Sequence, residues 1–134
     1  MILLDTHVLL WLVDGDRRLG AGAREIIEET PAIFFSAMSA WELAMLVCGD
    51  KLALEMTPAA LLRYVVDNSR AREIAVDTDM ALDAGGMPRA IHGDPCDRII
   101  MATARALGCP LVTADRKILA YAAAGHLKAI DARI

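Results

Sequence analysis

Aromatic residues are scarce in this chain of 134 residues: two Trp, two Tyr and two Phe, 4% of the total. With hydrophobic residues at 56%, the core must be aliphatic, and a composition this apolar excludes disorder. Cysteine is scarce as well. Cys48, Cys96 and Cys109 are odd in number and no two stand at metal-ligand spacing. This argues against a disulfide scaffold or a zinc knuckle, and for a reducing, cytoplasmic setting. Positive charge is in deficit, 14 Lys and Arg against 18 Asp and Glu, for a formal net charge of −4. That balance argues against a broad basic face for nucleic acid; a phosphate-rich substrate would need local Arg or Lys, or a bridging metal ion. Met1–Asp5 has no basic stretch and reaches an acid early, so no signal peptide is expected. There is no repeat, low-complexity tract, linker or glycine-rich phosphate loop. One apolar run, Pro31–Gly49, is long enough to span a bilayer. Its single charge, Glu42, falls near the middle, where an ionised acid costs about 2.5–3.5 kcal/mol on insertion scales. The run reads as a strand followed by a buried helix, and no membrane partner is expected.

The chain is the length of one domain, 1–134. Continuous apolar runs at Met1–Leu4, Ala32–Phe35, Glu73–Val76 and Pro110–Val112 suggest short strands buried on both faces, as in a parallel sheet; His126–Ile130 suggests a weaker last strand. Helix-period segments lie between them: Val8–Val13, Ala21–Glu29 with Ile26 and Ile27 inward, Ala37–Cys48 apolar nearly all round and hence interior, Ala59–Asn68 behind Thr57-Pro58, Thr78–Ala84 capped by Thr78 and stopped by Gly85-Gly86, Pro95–Leu107, and Arg116–Ala124. The alternation predicts an α/β fold, a mostly parallel central sheet flanked by helices. In such folds ligands bind beyond the carboxyl ends of the strands.

Acids recur at those places. Asp5 closes the first strand, with Thr6 behind it able to bond a ligand or cap a helix. Asp115 follows the strand ending at Val112, with Thr113 placed to orient it. Glu42 is the lone charge of an apolar helix and must be paired, hydrogen-bonded or bound to metal. Asp94 and Pro95 read as a helix cap and first turn, and Asp97 sits in that turn, where the helix dipole alone would explain it. Four acids about 6 Å apart would repel by roughly 3 kcal/mol per pair at an effective dielectric of about 20, more in sum than a small domain's margin of ~5–15 kcal/mol. Their convergence predicts a divalent cation, protonated acids or a basic partner. All-oxygen ligands point to Mg²⁺ or Mn²⁺ and away from zinc. Arg17, Arg18, Arg89, Arg98 and Arg116 are candidate phosphate contacts. His7, His92 and His126 stand too far apart to suggest a ligand set; Ser36 and Ser39 lack the context of a nucleophile, and the methionines of Ala37–Cys48 read as core filler.

Asp5-Thr6, Ser39-Ala40-Trp41-Glu42, Asp94-Pro95-Cys96-Asp97-Arg98 and Thr113-Ala114-Asp115, in this order, resemble a PIN domain, and more narrowly the VapC-type toxins of bacterial toxin–antitoxin pairs, over nearly the whole chain. The resemblance implies a Mg²⁺-dependent endoribonuclease, Mn²⁺ able to substitute, acting on an RNA substrate and held by a cognate antitoxin; the high apolar fraction is compatible with a buried antitoxin surface or the interface of an expected homodimer. The resemblance carries the metal-site role onto Asp5, Glu42, Asp97 and Asp115, with Thr113 in support; Thr6 and Asp94 are supporting candidates from their positions beside those acids. Cys96 departs from the family, which often has Phe there; the change bears on packing, not on ligation. Two other readings stay open. One is a non-catalytic module of the same fold that uses its acidic crevice for a protein partner. The other is a phosphatase-like hydrolase with Asp5 as nucleophile, against which stands the absence of a well-placed lysine after a later strand.

Overall fold

The computed structural model describes residues Met1–Ile134. Five strands, β1 (Ile2–Leu4), β2 (Ile33–Ser36), β3 (Arg72–Ile74), β4 (Leu111–Thr113) and β5 (Ala129–Asp131), form one sheet in the order β3-β2-β1-β4-β5, every pairing parallel. Seven helices cover it: α1 (Thr6–Asp14), α2 (Ala21–Glu29), α3 (Ala37–Cys48), α4 (Pro58–Ser69), α5 (Thr78–Gly86), α6 (Pro95–Leu107) and α7 (Arg116–Ala123). The expected α/β architecture is the one observed.

Side chains alternate across a strand, so neighbouring residues of β1 serve different cores. Leu4 joins Val8, Leu9, Phe35, Leu43, Leu61 and Val65 on one face. Leu3 joins Met80, Ile100, Met101, Leu111 and Ile118 on the other. Burial on both faces is why the strands read as unbroken apolar runs. β1 lies between β2 and β4, with Leu4 opposite Val112. The chain therefore leaves β1 toward one side and reaches β4 on the other, and the carboxyl ends of these two strands open a crevice between them.

Several local expectations are corrected. α3 is not interior: only Ser39 and Leu43 are buried, while Trp41 is 55% and Met45 45% exposed. The helix docks along one stripe, so Met45 fills no core here. In α2 the inward pair is Ala23 and Ile27, four residues apart, and Ile26 faces out. α5 is capped by Asp77, which accepts from the Met80 amide, and runs through Gly85 and Gly86. β3 begins one residue early and ends at Ile74, and β5 is shifted toward the C-terminus.

Arg98 proves structural. Its Nε donates to the Ala84 carbonyl at 2.9 Å and its Nη1 to the His92 carbonyl at 3.0 Å. Nη2 bonds the Met87 and Gly85 carbonyls. One side chain thus satisfies the carbonyls of the segment leading from α5 to α6, which removes it from the candidate phosphate contacts. Arg98→Met is expected to lower unfolding free energy in urea by about 2–4 kcal/mol, because several carbonyls lose their donor together. A loss below about 0.5 kcal/mol would show that the segment does not depend on this guanidinium.

Candidate active site

Asp5 stands at the end of β1, with its amide bonded to the Val112 carbonyl of β4. It is buried, and both of its oxygens are occupied: Oδ1 accepts from the Thr6 amide at 2.8 Å and Oδ2 from the Thr113 hydroxyl at 2.7 Å. The same Thr113 oxygen accepts from the Asp115 amide at 3.1 Å. Asp115 caps α7 through Oδ1, which takes the Lys117 and Ile118 amides. That leaves Oδ2 for the site. Thr6 reaches across to α3, its hydroxyl 2.9 Å from that of Ser39, three residues ahead of Glu42. Asp94 caps α6, its Oδ1 accepting from the Cys96 and Asp97 amides, with Pro95 at the first turn.

These placements bring four acids together. Asp5, Glu42, Asp97 and Asp115, from four different elements, line one cavity of about 310 Å³ at the carboxyl end of β1 and β4. Thr6 lines it too; Thr113 acts from beneath, through Asp5 and Asp115. Asp94 is exposed and lies outside the lining. It does approach Glu42 and Cys96, each of the three offering an atom within 4.8 Å of the others.

The crowding shows in the proton affinities. Burial, and then the charges of Asp5, Asp94, Glu42 and Asp115, push the Asp97 carboxyl up to about 8. Burial raises Glu42 as well, the Thr6 hydroxyl opposing and the charges of Asp5 and Asp94 adding. Glu42 Oε1 is buried with no hydrogen-bond partner. Asp115 goes the other way: burial would raise it, but the His92 hydrogen bond and the amides of Ile118 and Lys117 outweigh burial and hold it below the usual carboxylate range. The Cys96 thiol, buried and facing Glu42, Asp94 and Asp97, is pushed up to about 12, so it stays protonated and is a poor ligand.

The PIN domain family model matches residues 2–124. The chain belongs to the PIN domain family. It is 32% identical over 120 residues to the ribonuclease VapC22 of Mycobacterium tuberculosis, covering 90% of this chain and 91% of that protein. Two solved structures share its fold. One is VapBC2 from Rickettsia felis bound to a promoter DNA fragment, with a TM-score of 0.69, 18% identity, and 97% of this chain and 98% of that chain covered. The other is a toxin–antitoxin complex from Klebsiella pneumoniae, with a TM-score of 0.66, 20% identity, and coverage of 98% and 97%.

Within this PIN domain, sequence reasoning passed over two histidines. His92, only 8% exposed, has Nε2 2.9 Å from Asp115 Oδ2 and 3.1 Å from Asp97 Oδ2. Its Nδ1 accepts from the Asp94 amide at 3.1 Å, which places the ring hydrogen on Nε2, between the two carboxylates. His7 accepts from the Ala114 amide at 2.9 Å through Nε2 and holds Nδ1 3.7 Å from Asp5 Oδ2. The one sequence signal for His92 was its position two residues before a helix cap; its carboxylate partner Asp115 is 23 residues away. Among the candidate phosphate contacts, Arg18 is paired with Asp16 and Arg17, Arg89 and Arg116 are exposed outside the cavity lining.

The raised carboxyls have a stability consequence. Asp97 and Glu42 hold a proton more tightly folded than unfolded, so without metal their stabilisation is complete below about pH 4 and declines as pH rises, for Asp97 until about 8. Asp115 acts oppositely, its contribution being lost in acid as pH falls through its lowered value. Metal-free protein is expected to lose stability from about pH 5 to about pH 8, and Asp97→Asn to flatten that decline. At pH ~8 the variant's Tm should exceed the parent's by at least about 3 °C, equivalent to roughly 1 kcal/mol at this size. Calorimetry in EDTA checks this; an unchanged pH slope in the variant would contradict it.

Proposed function

We propose that this PIN domain is a divalent-metal-dependent endoribonuclease, with Mg²⁺ as its ion and Mn²⁺ able to substitute, and that it acts in the cytoplasm as the toxin of a toxin–antitoxin pair. The observation that carries the reading is the convergence of Asp5, Glu42, Asp97 and Asp115 on one cavity at the switch point of a parallel sheet. The donor set fits a hard cation: carboxylate oxygens, a buried Glu42 oxygen with no partner, and an Asp97 carboxyl whose raised proton affinity a bound positive charge would offset. Asp5, Glu42, Asp97 and Asp115 would hold it. When bound, a divalent cation supplies Lewis acidity toward water and toward the oxygens of the phosphodiester.

The chain's own residues then do the following. Thr6 and Thr113 fix the Asp5 carboxylate from both sides. His92 spaces Asp97 and Asp115, as a hydrogen-bonded outer partner orients ligands. The proton of the attacking water must pass to a carboxylate, and Glu42 Oε1, buried with no hydrogen-bond partner, is an oxygen free to take it. Support for the biological role comes from the relatives, one a ribonuclease and another a chain of a toxin–antitoxin complex. The exposed Trp41 and Met45 beside Glu42 on α3 supply an apolar face for an antitoxin or a second copy in a homodimer. No helix is long and apolar enough to cross a membrane.

Purified chain with Mg²⁺ is expected to cleave RNA, and Asp5→Asn to reduce cleavage at least about 100-fold with its circular dichroism unchanged. Equal cleavage in excess EDTA would contradict metal dependence. Tight complex formation with a partner protein and no cleavage of any RNA would favour the non-catalytic module instead. His92→Ala is expected to weaken Mn²⁺ binding, read by calorimetric titration, by roughly 10- to 100-fold; parent-like affinity would remove His92 from the site.

A further inference from the structure

The acid-lined cavity has one cation in its wall, and it comes from the far end of the chain. Arg133 lines the same cavity as Asp5, Glu42, Asp97 and Asp115, yet it forms an ion pair with none of them. Its guanidinium is fixed in other ways. Nη1 donates at 2.6 Å to the carbonyl of Ala114, the residue before Asp115, and the group lies over Trp11, 5.8 Å from the ring centroid. Nε and Nη2, the pair of N–H groups along one edge of the fork, have no protein acceptor.

The backbone beneath is also held. Gly20 donates to the Ala132 carbonyl at 2.8 Å, Gly22 to the Ile134 carbonyl at 2.9 Å, and Ala132 to the Thr113 carbonyl at 2.8 Å. A Cβ on Gly20 would lie 2.5 Å from the Arg133 carbonyl oxygen, and one on Gly22 2.9 Å from the Ile134 oxygen. Two glycines at the start of α2 therefore let the C-terminal segment press close and set the height of Arg133 at the cavity mouth. A cation needed only to neutralise the acids would pair with them. This one is anchored through a single nitrogen and set over a ring, with a planar two-donor edge left without a protein acceptor, the geometry that grips a phosphate through two oxygens.

We propose that Arg133 binds a phosphate of the RNA strand entering the acidic cavity, supplying there the positive charge that the chain as a whole lacks. The proposal rests on the ribonuclease reading and adds to it the side chain that holds the substrate.

The test is binding of a fluorescein-labelled pool of randomised single-stranded RNA 12-mers to the full chain, by anisotropy across a KCl series, with Ca²⁺ in place of Mg²⁺. Arg133→Gln is expected to weaken binding roughly 10-fold and to reduce the slope of log affinity against log salt by about 0.7, one phosphate contact on a single strand. Arg133→Lys is expected to restore the slope, since a point charge still reaches a phosphate, but only part of the affinity, since the two-donor edge is lost. Arg63→Gln, on the exposed side of α4, serves as the control with an unchanged slope. The proposal is overturned if Arg133→Gln keeps the parental affinity and slope, or if Arg133→Lys fails as badly as Arg133→Gln while both lower Tm equally, the mark of a purely structural anchor. Cleavage of total RNA by the parent with Mg²⁺, measured alongside, judges the ribonuclease reading separately; a parent that neither binds nor cleaves RNA overturns both.

Discussion

Mutual repulsion among four carboxylates is the constraint around which this molecule is arranged. At an effective dielectric of about 20, each close pair costs roughly 3 kcal/mol, against a total folding margin of ~5–15 kcal/mol. The protein compensates unevenly. Asp5 receives an amide and a hydroxyl, and Asp115 receives two helix amides and the His92 ring. Asp97 and Glu42 receive less and are left with raised proton affinity. A site so divided is tolerable with protons aboard and attractive to a small, hard cation.

The fold gathers these acids because a parallel sheet brings all its carboxyl ends to one edge. Asp5 and Asp115 leave adjacent strands β1 and β4; Asp97 begins α6 and Glu42 sits within α3. Capping and function are not competing explanations for an acid here. Asp115 spends one oxygen on the amides of α7 and turns the other to His92 and the cavity. The cap fixes the rotamer that the site requires.

What the sequence disclosed, and what it hid, follows from the range of the interactions. The strands were legible because burial on both faces writes an unbroken apolar run, and the caps because Asp94-Pro95 and Thr57-Pro58 act over two or three residues. The apolar surface of α3 was misread because composition cannot say whether a core or another molecule covers Trp41 and Met45. His92 was passed over because its carboxylate partner Asp115 lies 23 residues on, and no local pattern marks such a pair. Arg98 resembled a phosphate contact until the loop carbonyls it bonds were in place. The placement of Arg133 in the cavity wall was not legible because it depends on two glycines at the start of α2, over a hundred residues earlier.

A chain of net charge −4 handles a polyanion only if positive charge is concentrated where the chemistry occurs. Metal ions held by the acids, with an arginine at the rim, would provide it without a basic surface. The most direct measurement is anomalous scattering from crystals soaked in Mn²⁺, which counts the ions and identifies their ligands. One or two ions bound by oxygens of Asp5, Glu42, Asp97 and Asp115 are predicted. Manganese bound elsewhere, with those four carboxylates left free of it at saturating concentration, would contradict the proposed chemistry.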